Sequence, residues 1–404
     1  MLETILEIAD FLGDNLIIFF IIIVISIIIF LEWSFKNENI HKKKSLIIII
    51  SGGLLIWLDV GSFFQLLLLS TIVYILIYKK IQIKKKLSLF VLCSIGLLLL
   101  IKDYQYFLNI ENPYIPLGVS YYYFRLLSMM IDYANRPKEF ENINPIDYYS
   151  YVFFFPIILA GPIQRFRDFK YLETQFSGKP RRNIYLLLFT AISVKFLLID
   201  NYLYQYTYEK TLPLLMQNMD SGKDHLFFLK LSLFGFSAFI HAYFDLMLYT
   251  EISKSFSKLL GFTHQENFNK PLLASNLSMF WQRWHMSLSN WTRDYVFFPA
   301  LIKTKKAWIS TYLSMLTIGI WHALTLNWIT WAILHATGIN FYGKIREMRW
   351  FKRMKNNKAG ALFLRITGNI ITIYFVSFVF VMVAVHDFQV VVKLYSYAFA
   401  ILFN

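Results

Sequence analysis

The chain has 404 residues, 57% of them hydrophobic and only 16% charged, with a mean hydropathy of +0.49. Long apolar runs recur from end to end, which excludes a soluble protein and marks a polytopic membrane protein. The formal charge of +15 lies in short basic clusters between those runs, the pattern of positive-inside loops on anionic lipid and not of a nucleic-acid surface.

Basic clusters at residues 42–44, 79–86, 165–170, 181–182, 303–306 and 344–358 are expected to face the cytoplasm, with the N-terminus outside. The apolar segment 16–31 follows acidic residues and precedes no small-residue cleavage site. It is expected to remain as the first span. The stretch between Lys44 and Lys79 is interrupted by Gly52-Gly53 and by Asp59-Val-Gly61, and its length allows two short spans turning near Asp59. Segment 87–101 then leads out, and 119–133 returns towards Arg136. Segment 185–199 leads out again, leaving the tyrosine-rich residues 201–224 outside, and 226–248 comes back. Segments 366–385 and 390–402 make a final pair. No repeat or soluble insertion interrupts the series, so residues 1–404 read as one membrane domain. The single cysteine, Cys93, rules out an intramolecular disulfide.

Two regions depart from simple spans. Residues 145–162 contain Pro156 and end in Leu-Ala-Gly-Pro162; a helix broken so is tolerated at membrane depth only inside protein or along a cavity. Residues 252–295 are too polar to cross. Ile252, Phe256, Leu259 and Leu260 share one helical face, Gly261 is the expected stop, and the segment reads as an interfacial helix. After Asn276, Phe280, Trp284, Leu288, Trp291 and Tyr295 fall on one aromatic stripe of a single helix. Gln282, His285, Ser289 and Thr292 form a separate polar stripe. That stripe is either a working line of hydrogen-bonding groups or a wet interfacial face.

His322 stands in Gly319-Ile-Trp-His-Ala-Leu-Thr-Leu-Asn327. Residues 309–342 read as a helical hairpin with His322, Thr325 and Asn327 near its turn. A run of about thirteen residues from Ser310 carries the imidazole roughly 20 Å inward, deep in the hydrocarbon core. A titratable group there is either functional or tied to a backbone carbonyl. Histidine exchanges protons near neutral pH, so the chemistry indicated is general-base catalysis. His335 shares a stripe with Trp328, Trp331 and Gly338 and reads as packing. His241 and Asp245, four residues apart, read as a hydrogen-bonded pair. Neither H-E-x-x-H nor a cysteine cluster is present, so no catalytic metal is expected.

These residues resemble the membrane-bound O-acyltransferase family. The resemblance rests on Arg283-Trp-His285 with Ser287-Leu-Ser289, followed by Trp321-His322. It extends to Pro116-Leu-Gly-Val-Ser120 with Arg125 and Asp132; Phe155-Pro156, Ala160-Gly-Pro162 and Arg165-Phe166; then Tyr243-Phe-Asp245, Leu260-Gly-Phe262, Asn267-Phe268 and Pro271. These motifs fall in the family's order over residues 116–338. Ala323 departs from the usual Trp-His-Gly, and Pro299-Ala-Leu departs from the alginate-type pattern. The resemblance implies an all-α polytopic fold, a ring of tilted transmembrane helices with broken and interfacial helices around a central funnel. His322 would lie at the funnel floor, with His285 nearer the cytoplasm.

The function implied is transfer of an acyl group, acetyl first, to a hydroxyl of a cell-envelope polymer, in a bacterial cytoplasmic membrane. His322 and His285 are the catalytic candidates; Asn327, Arg283, Gln282 and Ser289 are the substrate-binding candidates. The donor is acetyl-coenzyme A or an acylated carrier protein, and no cofactor is held permanently. Arg165, Arg167, Arg181 and Arg182 suit its phosphates, although positive-inside topology also explains them. An esterase-like extracytoplasmic partner fits the acetylating branch. D-alanyl transfer to teichoic acid from a carrier protein is the alternative, and a transporter or flippase is the non-enzymatic one.

Overall fold

The structure, a computed structural model, describes residues 40–83, 96, 117–158, 161–169, 182–221 and 225–403. Expected spans 16–31 and 87–101, with Cys93, Pro116, Ala160, Lys170, Arg181 and the Arg182 side chain, lie outside the described residues. Among those described, all regular structure is helical. Four helices are long and apolar enough to cross a bilayer: Val60–Tyr78, Asn183–Met219, Phe227–Leu260 and Lys358–Ala384. The protein is an all-α, multi-pass membrane protein.

Helix α1 (Ile40–Leu58) gives way to α2 (Val60–Tyr78) at Asp59. Its carboxylate accepts from Gly61 N at 3.0 Å and supplies the N-cap of α2. The Phe63 ring lies against the Cα of Gly52, so the chain folds back at the expected place. Helix α3 (Val119–Asn135) is buried on nearly every side. Its burial sets it apart from the four long apolar helices, whose faces are largely exposed. The next segment is broken as expected: α4 (Pro145–Val152), capped by Asn144, ends ahead of a 3-10 turn at Phe155–Ile157.

Three sequence expectations are corrected. The tyrosine-rich stretch after residue 200 is not an external loop, because α5 (Asn183–Met219) runs through it, partly as π-helix over Val194–Leu203 and Gln205–Thr211. The interfacial helix from Ile252 is the end of α6 (Phe227–Leu260), which stops at Gly261 with φ 84°. The face read as interfacial lies against protein, with Phe256 and Leu259 buried beside Leu188 of α5.

The third correction concerns the helix after Asn276. It is not one helix but α7 (Leu277–Trp281), a turn, α8 (Met286–Thr292), a π segment (Arg293–Phe297) and α9 (Phe298–Thr304). The hairpin expected around His322 is present as α10 (Ala307–His322) and α11 (Leu326–Ile345). Gly319 permits it: a Cβ there would sit 2.6 Å from the Trp328 carbonyl oxygen. The chain ends in α12 (Arg349–Lys355), α13 (Lys358–Ala384) and α14 (Phe388–Phe403).

Candidate active site

The hairpin places His322 at the last position of α10 and Thr325 at the N-cap of α11. Three indoles lie against the half-buried imidazole. Trp328 stacks on it at 4.1 Å between centroids and 9° between planes; Trp321 lies at 4.5 Å and Trp331 at 6.5 Å. Sequence periodicity put Trp328 and Trp331 on a packing stripe with His335. That reading missed their contact with His322, although Trp328 is six residues away and two tryptophans flank the turn.

His285 reaches the same place from another element. Its ring meets Trp321 edge-on at 6.1 Å and 89°, so the two histidines share one indole. His285 itself occupies the break between α7 and α8, with φ 41° and ψ 54°, a left-handed conformation uncommon outside glycine. Its side chain is 3% exposed, and Nδ1 has no hydrogen-bond partner among the described residues. The residue lies outside the four spanning helices, and burial pushes its pKa down to about 4.

Asn267 makes this break possible. Its carbonyl oxygen accepts from Met286 N at 2.8 Å, and its Oδ1 accepts from Ser287 N at 3.3 Å. A helix leaves its first amides without internal partners; here a residue far upstream supplies them. The Ser287 hydroxyl donates to the same Oδ1 at 2.6 Å and accepts from Ile163 N at 2.9 Å. Asn267 Nδ2 donates to Thr250 Oγ1 at 3.1 Å. The broken segment, α6 and the histidine turn are thereby tied at one buried point.

The remaining candidates are dispersed. Both Asn327 Nδ2 hydrogens go to α13, to the carbonyls of Met382 and Val385 at 2.7 Å each. The asparagine thus holds the end of a neighbouring helix. Ser289 Oγ donates to the Trp284 carbonyl at 3.1 Å. Gln282 is exposed, and the Arg283 carbonyl accepts from Asn269 N at 3.0 Å. His335 is buried and accepts from Trp281 Nε1 at 3.3 Å, in keeping with packing.

Two charge assignments change. Arg165 is not a free basic group: it is buried, donates to Asp294 at 2.7 Å and to the Asn290 carbonyl at 3.0 Å, and covers the Tyr295 ring. Burial alone would raise the Asp294 pKa, but hydrogen bonds from Arg293 and Arg165 hold it below its usual value. Asp245 is paired with Lys195, not with His241. Lys195 also bonds Asp200 at 3.0 Å, while His241 packs against Tyr204 and Tyr208. A lysine in a spanning helix is costly unless paired, and this one selects two carboxylates.

Comparison with known proteins follows this geometry. The profile of MBOAT, the membrane-bound O-acyltransferase family, matches residues 70–385. A teichoic acid D-alanyltransferase of Bacillus subtilis (strain 168) is 30% identical over 300 residues, covering 68% of this chain and 71% of that protein. A probable alginate O-acetylase AlgI of Pseudomonas fluorescens is 31% identical over 232 residues, covering 55% of this chain and 43% of that protein. The Pseudomonas aeruginosa protein of the same description is 29% identical over 255 residues, covering 58% and 46%. The match thus spans less than half the length of these alginate relatives.

Proposed function

The chain belongs to the membrane-bound O-acyltransferase family, and from that premise we propose that it carries an acetyl group from a cytoplasmic thioester to a hydroxyl of a cell-envelope polymer. The observation that supports this reading most is His322 at the hairpin apex, half-buried against indoles and sharing Trp321 with His285. An alcohol is a poor nucleophile; His322 takes its proton as the oxygen attacks the thioester carbonyl. The tetrahedral intermediate collapses to the ester, the carbon–sulfur bond breaks, and the thiolate recovers the proton from the imidazolium. Nothing is left over in this cycle.

His285, kept neutral by burial, is the positioning residue, acting on His322 through Trp321. Asn327 spends its donors on α13, so in this reading it fixes the hairpin and does not bind the oxyanion. The membrane is the bacterial cytoplasmic one, with the N-terminus outside. The donor is acetyl-coenzyme A or a carrier-protein thioester, and an extracytoplasmic esterase-like protein is the partner. A second reading, D-alanyl transfer to teichoic acid, draws support from the broader match to the Bacillus subtilis protein.

Purified protein supplied with labelled acetyl-coenzyme A, or with a D-alanyl carrier protein, separates the readings by which label reaches a polymeric hydroxyl. His322→Ala is expected to lower the transfer rate by about 10²–10⁴ in protein that still inserts and folds. Near-normal turnover in that variant would refute the mechanism.

A further inference from the structure

Tyr121 and His322 pack on the same indole, Trp321, at 6.2 and 4.5 Å between ring centroids. Tyr121 lies in the first turn of α3 and is half-buried. Asp245 and Tyr249 of α6 lie within electrostatic reach of its phenol. Among the described residues the Tyr121 hydroxyl has no hydrogen-bond partner. It is a polar group that the fold itself does not use.

Asp245 stands near the middle of α6, one of the four helices long enough to cross a bilayer. Its Oδ1 accepts from Lys195, while Oδ2 has no hydrogen-bond partner among the described residues. Lys195 is buried behind it, shared with Asp200 and lying 4.2 Å from the centre of the Tyr249 ring. The Asp245 side chain is nevertheless 34% exposed. A carboxylate so placed is costly against lipid and is stable only against water or a polar ligand. Tyr121 Oη and Asp245 Oδ2 therefore offer one hydrogen-bond donor and one acceptor, close to the indole that both histidines touch.

We infer that Tyr121 and Asp245 form a subsite that holds the acyl acceptor by a pair of adjacent hydroxyls. The hydroxyl next to the reacting one donates to Asp245 Oδ2 and accepts from Tyr121 Oη; the reacting hydroxyl is left to His322. A hydroxyl is donor and acceptor at once, so it matches this pair. A cation would leave the phenol proton unused, and an anion would be repelled by the carboxylate. The inference deepens the acyl-transfer reading and rests on it. It makes the acceptor a sugar or other polyol with neighbouring hydroxyls, and not an isolated alcohol.

The test gives full-length protein in detergent two small acceptors, glycerol and 1-propanol, with whichever labelled thioester the parent consumes. Glycerol carries the second hydroxyl and 1-propanol lacks it, so the parent should favour glycerol in kcat/KM. Tyr121→Phe should cut that preference about 3–10-fold, and Asp245→Asn, which loses a charged acceptor, about 10–100-fold. In Tyr121→Phe, transfer to 1-propanol and the KM for the thioester should stay unchanged, which a structural role would not give. Asp200→Asn loosens the same lysine from α5 and should keep the preference. A parent without the preference, an unaltered preference in Tyr121→Phe, or an equal loss in Asp200→Asn would overturn the assignment. One measurement needs no turnover: in a Cys93→Ala background, Tyr121→Cys should react with the charged thiol reagent methanethiosulfonate ethylsulfonate. An unreactive thiol there, in folded protein, would refute the subsite. An active His322→Ala variant beside a reduced glycerol preference in Tyr121→Phe would instead refute the general-base role and leave the subsite established.

Discussion

The Ser287 hydroxyl donates to Asn267 Oδ1 at 2.6 Å, at the centre of a buried cluster that ties the histidine turn to two other segments. Through it run the bond from Ile163 N in the broken segment and the bond from Asn267 to Thr250 in α6. All four residues sit far apart in sequence, and both partners of the contact are buried.

Ser287→Ala removes an acceptor and leaves the Ile163 amide buried without one. A donor stranded in this way costs about 1–3 kcal/mol. The variant is expected to unfold at a lower temperature in detergent, and acyl transfer should fall because the His285 turn loses its anchor. Ser287→Thr retains the hydroxyl and should preserve more of both. Equal stability of Ser287→Ala and the parent protein would show that the network carries no load.

The second prediction concerns acid. Burial holds the His285 pKa at about 4, below its ordinary 6.5, so the unfolded chain takes up this proton first as pH falls. Stability from the neutral imidazole is complete above about pH 6.5 and is lost as pH drops from there through 4. The full loss is on the order of 3 kcal/mol. His285→Asn, which tolerates the left-handed backbone, should flatten stability against pH across this window. A parent protein whose denaturation midpoint stays constant from pH 7 to 4 would contradict it.

The third prediction separates two roles for Asn327. If it holds α13 through Met382 and Val385, Asn327→Leu strands two carbonyls and lowers thermal stability together with activity. Asn327→Asp, which loses the amide donors but keeps the size, should be destabilised as well. A drop in turnover with unchanged melting in both variants would instead mark a direct role on the reacting carbonyl.

Much of this architecture was legible in the chain. Apolar runs set the membrane class because a bilayer admits only segments that satisfy their own backbone. Asp59, Pro156 and Gly261 announced breaks because their local chemistry favours caps, kinks and stops. The hairpin around His322 followed from basic residues at both its ends, and the histidine motifs pointed to the acyltransferase family.

Where the sequence failed, the cause was a partner distant along the chain. Periodicity allowed a continuous helix through His285, but the amides of Met286 and Ser287 bond Asn267, and the helix breaks. Spacing paired His241 with Asp245, but Lys195 of another helix carries a full charge and takes the carboxylate. Arg165 looked like a loop cation until burial beside Asp294 gave it a structural partner. The sequence by itself determined the membrane-embedded helical class and the residues able to exchange a proton. Only tertiary packing decided which faces those residues meet, because hydrogen bonds and ring contacts between remote segments outweigh the small free-energy differences of local backbone preference.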